Sequence, residues 1–159
     1  MPYKTYIETK IGRIGIAEEN QCLTHLVFQH KKDPVDAVEQ STPFLCSVAL
    51  KINEYLDGKR KEFDIPLKFY GTDFQVLVWK SLLTIPYGET RSYREIAEQV
   101  GKVKAWRAVG MANHWNPIAI VVPCHRVIGA DGSLTGFAGG LALKRRLLEM
   151  EKSGVPLAF

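Results

Sequence analysis

The sequence predicts an α+β fold, with a small antiparallel β-sheet and one helix in an N-terminal module and a mostly helical C-terminal module that contains a helix-turn-helix. Two observations carry this prediction. Polar and apolar residues form three short strand-like runs within residues 3–28. Beyond residue 72, apolar residues recur mainly at the three- and four-residue spacing of amphipathic helices.

The N-terminal module is expected to begin with three short strands, at residues 3–9, 13–17 and 22–28. Gly12 and the polar residues 18–21 are typical turn residues and separate the three runs. Short turns join neighbouring antiparallel strands, so we predict an antiparallel meander.

One helix should follow the strands and cover the sheet. The apolar residues within 45–56 recur at helical spacing, and Gly58 follows as a stop signal. Residues 59–72 contain proline and glycine without clear periodicity. We therefore place the module boundary there, with an N-terminal module at 1–70 and a C-terminal module at 71–159.

The C-terminal module contains a pair of predicted helices that resembles a helix-turn-helix. Ser92 can cap the first helix, which runs through Val100, and Glu95 stands at the spacing of a capping box. Gly101 ends that helix, and a second helix fits residues 104–114. An ordinary helical hairpin has the same spacing, so DNA binding needs support from other residues.

Two more amphipathic helices, at 74–82 and about 141–152, complete the module.

The composition is that of a globular protein. Of the 159 residues, 46% are hydrophobic and 24% are charged, which suits one ordinary domain or two small ones. The net charge of +4 is compatible with a polyanionic partner, although many proteins with a similar charge never bind nucleic acid. The three cysteines cannot all pair within one chain, so at least one thiol is free.

No export or membrane signal is evident in the sequence. The N-terminal residues lack a positively charged start followed by an apolar stretch. The longest apolar run, at 118–122, has five residues, whereas a membrane helix needs about 20. We therefore expect a cytoplasmic protein with no membrane segment and with reduced cysteines.

Cys124 is the candidate nucleophile. Residues 118–122 are predicted to form a short buried strand, which Pro123 ends, leaving Cys124 at its mouth with His125 and Arg126 directly after it. Nearby positive charge favours the thiolate, and an imidazole can alternatively remove the thiol proton. An inert buried cysteine beside a structural histidine would give the same local sequence.

Glu151 is the candidate partner of that histidine. It falls on the same face of the last predicted helix as Leu147 and Leu148, where the pattern calls for a core residue. A carboxylate that faces inward could orient His125 directly or through a water molecule. A solvated glutamate at a helix end is the alternative.

Seven short motifs follow one another in the C-terminal module. They are Phe-Gln-Val-Leu-Val-Trp at 74–79, Ile-Pro-Tyr-Gly at 85–88, Ser-Tyr at 92–93, Arg-Ala-Val-Gly at 107–110, Asn-Pro at 116–117, Pro-Cys-His-Arg-Val at 123–127 and Gly-Gly at 139–140. Pro-Cys-His-Arg alone is expected by chance on the order of 0.001 times in a chain of this length. The seven motifs occur in the order found in the O6-alkylguanine-DNA alkyltransferases, and the sequence resembles this family over about residues 72–151.

The resemblance implies a DNA repair protein that transfers a methyl or other alkyl group from O6-alkylguanine to its own cysteine in a single turnover, with O4-alkylthymine as a second candidate substrate. Cys124 would be the acceptor, His125 its base and Glu151 the residue that orients the histidine. Asn116 would join the helix-turn-helix to the active-site strand, and Tyr93 would lie near the flipped base. Neither a cofactor nor a catalytic metal is implied, and the N-terminal module would be ribonuclease H-like.

The resemblance also implies how DNA is held. Arg107 would enter the duplex to fill the space that the flipped nucleotide leaves. Small residues would allow the second helix of the pair, at 104–114, to approach the minor groove as the recognition helix. The partner is then double-stranded DNA containing alkylated guanine, bound by a monomer. The residues assigned to DNA are Arg107, Ala108, Gly110 and Ser92, and those assigned to the substrate pocket are Val127, Phe137 and Ala138.

Other functions fit parts of the same sequence. A noncatalytic protein of this fold would bind alkyl lesions without transfer, a transcription factor would use the helix pair to bind an operator, and a cysteine hydrolase would use Cys124, His125 and Glu151. Cys22 and His25, together with His30, are three potential zinc ligands at irregular spacing. Because a structural zinc site usually needs four ligands, we expect no metal there.

Overall fold

The computed structural model describes residues 1–28 and 36–158 and has the predicted α+β architecture. The described residues of the first part of the chain form four strands and one helix: β1 (Pro2–Thr9), β2 (Gly12–Glu19), β3 (Cys22–Phe28), β4 (Val38–Glu39) and α1 (Pro43–Leu56). Four helices and two short strands follow: α2 (Asp73–Leu82), β5 (Arg91–Ser92), α3 (Tyr93–Gln99), α4 (Trp106–His114), β6 (Val127–Ile128) and α5 (Leu141–Ser153).

The N-terminal sheet has the strand order β3-β2-β1-β4. Its first three strands form the predicted antiparallel meander, and Asn20 and Gln21 adopt positive φ in the turn between β2 and β3. The strand β4, which pairs with β1 in parallel through Val38 and Glu39, was not predicted. A strand of two residues has no alternating pattern from which to predict it.

The helix α1 packs against β1 and β2, as predicted. It begins at Pro43, two residues before the expected start, because Thr42 caps it by accepting a hydrogen bond from the Leu45 amide. One stripe of the helix is buried and forms part of a core shared with the C-terminal half of the chain. The buried residues of this stripe are Leu45, Val48, Ile52, Tyr55 and Leu56.

The helices α3 and α4 form the predicted pair. The Ser92 hydroxyl accepts from the Glu95 amide at 3.1 Å, and the Glu95 carboxylate accepts from the Ser92 amide at 3.0 Å, which confirms the capping box. The helix α4 begins at Trp106 rather than at residue 104, because the Ala105 amide bonds to the Lys102 carbonyl in a turn.

The prediction of a strand at 118–122 is wrong in form, although all five residues are buried as expected. Only Ile118 pairs with β3. Ile120 has a φ of 72°, and the Val121 amide donates to the Ala119 carbonyl at 2.8 Å, so the chain turns back on itself before the cysteine. An apolar run predicts burial, but it does not distinguish a strand from a tight turn.

The strands β5 and β6 bring two distant parts of the C-terminal half together. They pair in parallel, with Arg91 opposite Val127 and Ser92 opposite Ile128. This pairing places the start of α3 beside the residues that follow Cys124. No helix among the described residues is long and apolar enough to cross a membrane.

Candidate active site

Cys124 begins a short 3₁₀ helix, Cys124–Arg126, directly after Pro123. Its side chain is buried, and this burial raises the pKa of the thiol. The largest opposing contributions are a hydrogen bond from Asn116 and the positive charge of Lys144. The cation that favours the thiolate is therefore Lys144, because Arg126 is engaged with a carboxylate.

His125 and Glu151 make the direct contact that the sequence suggested. His125 Nε2 lies 2.7 Å from Glu151 Oε2, and both side chains are almost completely buried. Burial lowers the pKa of His125 below its ordinary value, and the hydrogen bond that His125 donates to Glu151 opposes this effect only in part. The imidazole is therefore neutral at neutral pH. With Nε2 donating to the carboxylate, Nδ1 is the free base, and it has no hydrogen-bond partner among the described residues.

The Glu151 carboxylate is held by several donors. Arg126 donates from Nε to Oε1 at 2.8 Å and from Nη2 to Oε2 at 3.0 Å, and the Tyr55 hydroxyl also donates to Oε2. The Gly88 amide lies 3.3 Å from Oε1. Burial alone would raise the pKa of Glu151, but the bonds from His125 and Arg126 hold it well below its ordinary value. The acid is therefore ionised and fixed in orientation.

Asn116 binds both ends of the turn that precedes the cysteine. Its Nδ2 donates to the Val122 carbonyl at 2.9 Å, and its Oδ1 accepts from the Ile118 amide at 3.0 Å. Asn116 directly follows the last residues of the α4 region. It therefore connects that helix to the segment that presents Cys124.

Lys144 lies on the buried side of α5, with no exposed side-chain surface. Its ammonium donates to the Val127 carbonyl at 2.6 Å and to the Thr135 carbonyl at 2.8 Å. Burial lowers the pKa of Lys144 to about 8, against the opposing effect of a charged Cys124. Lys144 therefore joins two segments beside the thiol and supplies a positive charge that is sensitive to mildly alkaline pH.

The residues assigned to the substrate pocket have different surroundings. The Tyr93 hydroxyl donates to the Thr135 carbonyl at 3.3 Å and accepts from the Thr135 hydroxyl at 3.0 Å. The Phe137 ring packs edge-on against His125, with ring centroids 6.4 Å apart. Val127 is buried, and Ala138 borders a cavity of 260 Å³.

The residues assigned to DNA lie on or beside the helix pair. Arg107 and Ala108 are exposed, and the Arg107 guanidinium lies 5.0 Å from the centroid of the Trp106 ring. Gly110 is partly buried, and a Cβ atom there would lie 3.7 Å from the Tyr93 ring. Ser92 is buried, and its hydroxyl caps α3.

Two family models match the chain. The model described as "6-O-methylguanine DNA methyltransferase, DNA binding domain" matches residues 73–153, and its "ribonuclease-like domain" matches residues 2–69. The chain belongs to the 6-O-methylguanine DNA methyltransferase family. This assignment confirms the resemblance that the seven motifs indicate.

Individual members of this methyltransferase family support the same assignment. A methylated-DNA–protein-cysteine methyltransferase of Mycobacterium tuberculosis is 52% identical over 156 residues, which cover 97% of this chain and 94% of the relative. One of Methanosarcina barkeri is 48% identical over 157 residues, or 96% of this chain and 99% of the relative. The crystal structure of Mycobacterium tuberculosis OGT in complex with DNA has a TM-score of 0.91, at 49% identity, and covers 97% of this chain and 95% of its own.

Cys124, His125 and Glu151 are called the relay below. Two residues that contact or lie beside the relay, Tyr55 and Lys144, were not predicted from the sequence. Tyr55 occupies a buried position of the apolar stripe of α1 and looks like an ordinary core residue. Lys144 precedes Leu147 by three residues and Leu148 by four, so the helical spacing does place it on the inner face of α5. A lysine at such a position is usually solvated, and only its position on that face could have indicated its burial.

Cys22 and His25 lie on β3, whereas His30 is outside the described residues. Within residues 1–28 and 36–158, no group of three potential metal-ligating side chains comes together.

Proposed function

We propose that this protein repairs DNA by moving an alkyl group from O6 of guanine to Sγ of Cys124, and that each molecule acts once. The observation that carries the proposal is the buried relay from His125 to Glu151 beside Cys124, in a member of this methyltransferase family. The relatives named methylated-DNA–protein-cysteine methyltransferase and the OGT structure in complex with DNA support the same reaction and partner.

The proposed chemistry is a direct displacement in which His125 acts first as a base. Nδ1 of the neutral imidazole takes the thiol proton, directly or through a water molecule, while Glu151 stabilises the imidazolium that forms. The thiolate attacks the alkyl carbon, so an S–C bond forms as the C–O6 bond breaks. The electron pair of that bond goes to guanine, and a proton equivalent to the one lost by Cys124 completes the guanine product.

The leaving group needs a hydrogen-bond donor, because a guanine anion leaves poorly unless its developing charge is stabilised. We assign this role to the Tyr93 hydroxyl. Burial raises the pKa of Tyr93, so the phenol stays protonated, and its proton would turn from the Thr135 carbonyl to the guanine. Backbone groups of Val127 and Ala138 and the ring of Phe137 would form the walls of the pocket, which Lys144 stabilises by joining Val127 to Thr135.

An alkylated guanine must leave the stacked duplex before Cys124 can reach it, because the thiol is buried in the protein and the lesion is buried in the helix. The exposed helix α4 is suited to hold the opened duplex, with Ala108 and Gly110 allowing a close approach. One chain supplies every group of the relay, so a monomer suffices. A thiol that must be reduced before transfer also fits the cytoplasm.

The reaction should stop after one transfer, because the product is a thioether without an acyl carbon for water to attack. We expect that an excess of duplex DNA carrying radiolabelled O6-methylguanine will transfer label to the protein until about one methyl group is bound per molecule. Continued turnover would exclude a suicide reaction. Binding of the lesion without transfer of label would identify the noncatalytic alternative.

Replacing Arg107 with alanine is expected to slow alkyl transfer from duplex DNA by about 10-fold or more, since no side chain would then fill the space that the flipped nucleotide leaves. Transfer from a single-stranded oligonucleotide should change much less, because no base pair has to be opened. Single-turnover rates on the two substrates make the comparison. Arg145→Ala, which removes an exposed charge from α5, serves as the control, and an equal loss on both substrates would contradict this role of Arg107.

A further inference from the structure

Tyr55 is a residue of the N-terminal helix α1 whose hydroxyl touches the relay. The side chain has no exposed surface. The hydroxyl donates to Glu151 Oε2 and lies 3.3 Å from His125 Nε2, so it sits at the junction of the acid and the base. Burial raises the pKa of Tyr55 well above its ordinary value, and the nearby charge of Glu151 adds to this effect. The phenol therefore remains a donor throughout the working pH range.

Aromatic packing fixes the direction of this hydroxyl. The Tyr55 ring lies 5.2 Å from the Phe63 ring and packs edge-on against Tyr87, with centroids 6.2 Å apart. The neighbouring carbonyl of Leu56 accepts a hydrogen bond from the Leu157 amide, which ties the end of α1 to the segment after α5. A packed ring of this kind has little freedom to move its hydroxyl away from Glu151.

The same carboxylate oxygen accepts from Tyr55, from His125 and from Arg126 Nη2. Donors that share one oxygen compete for its electron density, so each bond weakens the others. The donation from Tyr55 thus reduces the extent to which Glu151 can stabilise an imidazolium at His125.

The other groups around His125 come from several elements. Glu151 and Lys144 reach it from α5, and Arg126 and Cys124 are its neighbours in the 3₁₀ helix. Tyr87 lies beside Arg126 and Tyr55, with its ring centroid 5.7 Å from the Arg126 guanidinium. Of the groups from the N-terminal module, Tyr55 is the one that hydrogen-bonds to the relay among the described residues.

We propose that Tyr55 is a positioning residue that orients Glu151 and limits the basicity of His125, so that the N-terminal module takes part in alkyl transfer. This inference rests on the proposed function of Cys124, His125 and Glu151. It gives the ribonuclease-like part of the chain a role beyond covering the core.

The variant Tyr55→Phe removes the hydroxyl and keeps the ring. The released Glu151 should stabilise the imidazolium more strongly, so His125 should titrate about 0.5–1 pH unit higher than in the wild type. His125 can act as a base only when it is neutral, so the fall in the single-turnover transfer rate at acid pH should begin at correspondingly higher pH. Both quantities are measurable, by NMR of the histidine ring and by rate profiles on DNA carrying O6-methylguanine.

The matched control is Tyr70→Phe, because the Tyr70 hydroxyl also donates to a carboxylate, that of Glu19, but at the protein surface. It should leave both profiles unchanged. Replacing Tyr55 with 3-fluorotyrosine keeps a phenol that donates more strongly, so it should shift the His125 titration in the opposite direction and remains informative if Tyr55→Phe does not fold. A His125 titration that neither replacement moves would overturn the proposal.

The NMR titration needs no DNA and no transfer. A wild-type protein that fails to accept a methyl group would therefore contradict the proposed function, while the shift in His125 would still decide the role of Tyr55.

Discussion

Replacing Glu151 with glutamine is expected to lower the free energy of unfolding by about 3–5 kcal/mol, which is typical when one partner of a buried ion pair is removed. The guanidinium of Arg126 would keep its burial but lose the charge that compensates it. The donation from His125 would also go to a weaker acceptor. Denaturant unfolding at pH 7 measures the loss. Glu149→Gln, an exposed position on the same helix, should change stability by about 0.5 kcal/mol or less.

The loss should depend on pH with a defined sign. The pKa of Glu151 is lower in the folded protein than the ordinary value of about 4.3, so its ionised form stabilises the fold fully above that value. As the pH falls below about 4.3 toward the lower folded pKa, this contribution disappears. The difference between wild type and Glu151→Gln should therefore shrink in acid. A difference that is absent at pH 7, or that grows in acid, would contradict the buried ion pair.

Replacing His125 with glutamine is expected to slow alkyl transfer by about 10²–10⁴-fold, the usual contribution of a general base. Glutamine can still donate to Glu151, but it cannot accept the thiol proton. Burial raises the pKa of Cys124, so few molecules carry a thiolate without a base to form it. Single-turnover rates with saturating DNA measure the chemical step.

Binding of O6-methylguanine duplex to the His125→Gln variant provides the control, because His125 is buried away from the exposed face of α4. The affinity should stay within about 3-fold of the wild type, which corresponds to a change of about 0.7 kcal/mol or less in the free energy of binding. A transfer rate within a few-fold of the wild type would show that Cys124 loses its proton by another route, with Lys144 as the next candidate to stabilise the thiolate.

The features that sequence reasoning predicted well are those encoded locally. The capping box at Ser92 and Glu95 needs two residues three apart, and the stripe of α1 repeats with the helical period. Periodicity also placed Glu151 on the inner face of α5 and made His125 a candidate partner, although a solvated glutamate at the helix end fitted the same pattern.

The features that were not predicted depend on distant parts of the chain. Tyr55 reaches the relay from α1 only because the two halves of the protein share one core, and no local pattern distinguishes it from Val48 or Ile52. Lys144 is buried because two carbonyl groups, of Val127 and Thr135, accept from it. The turn at Ile120 depends on hydrogen bonds at both ends, which an apolar run does not specify.

The central claim is that Cys124 accepts the alkyl group. Intact-mass measurement after incubation with duplex DNA carrying O6-methylguanine tests it most directly, with peptide mapping to locate the change. We expect a mass increase of one methyl group on Cys124 in the wild type and in Cys46→Ala, whose cysteine is exposed, and no increase in Cys124→Ala. An unchanged wild-type mass, or a methyl group on Cys22 or Cys46, would contradict the account.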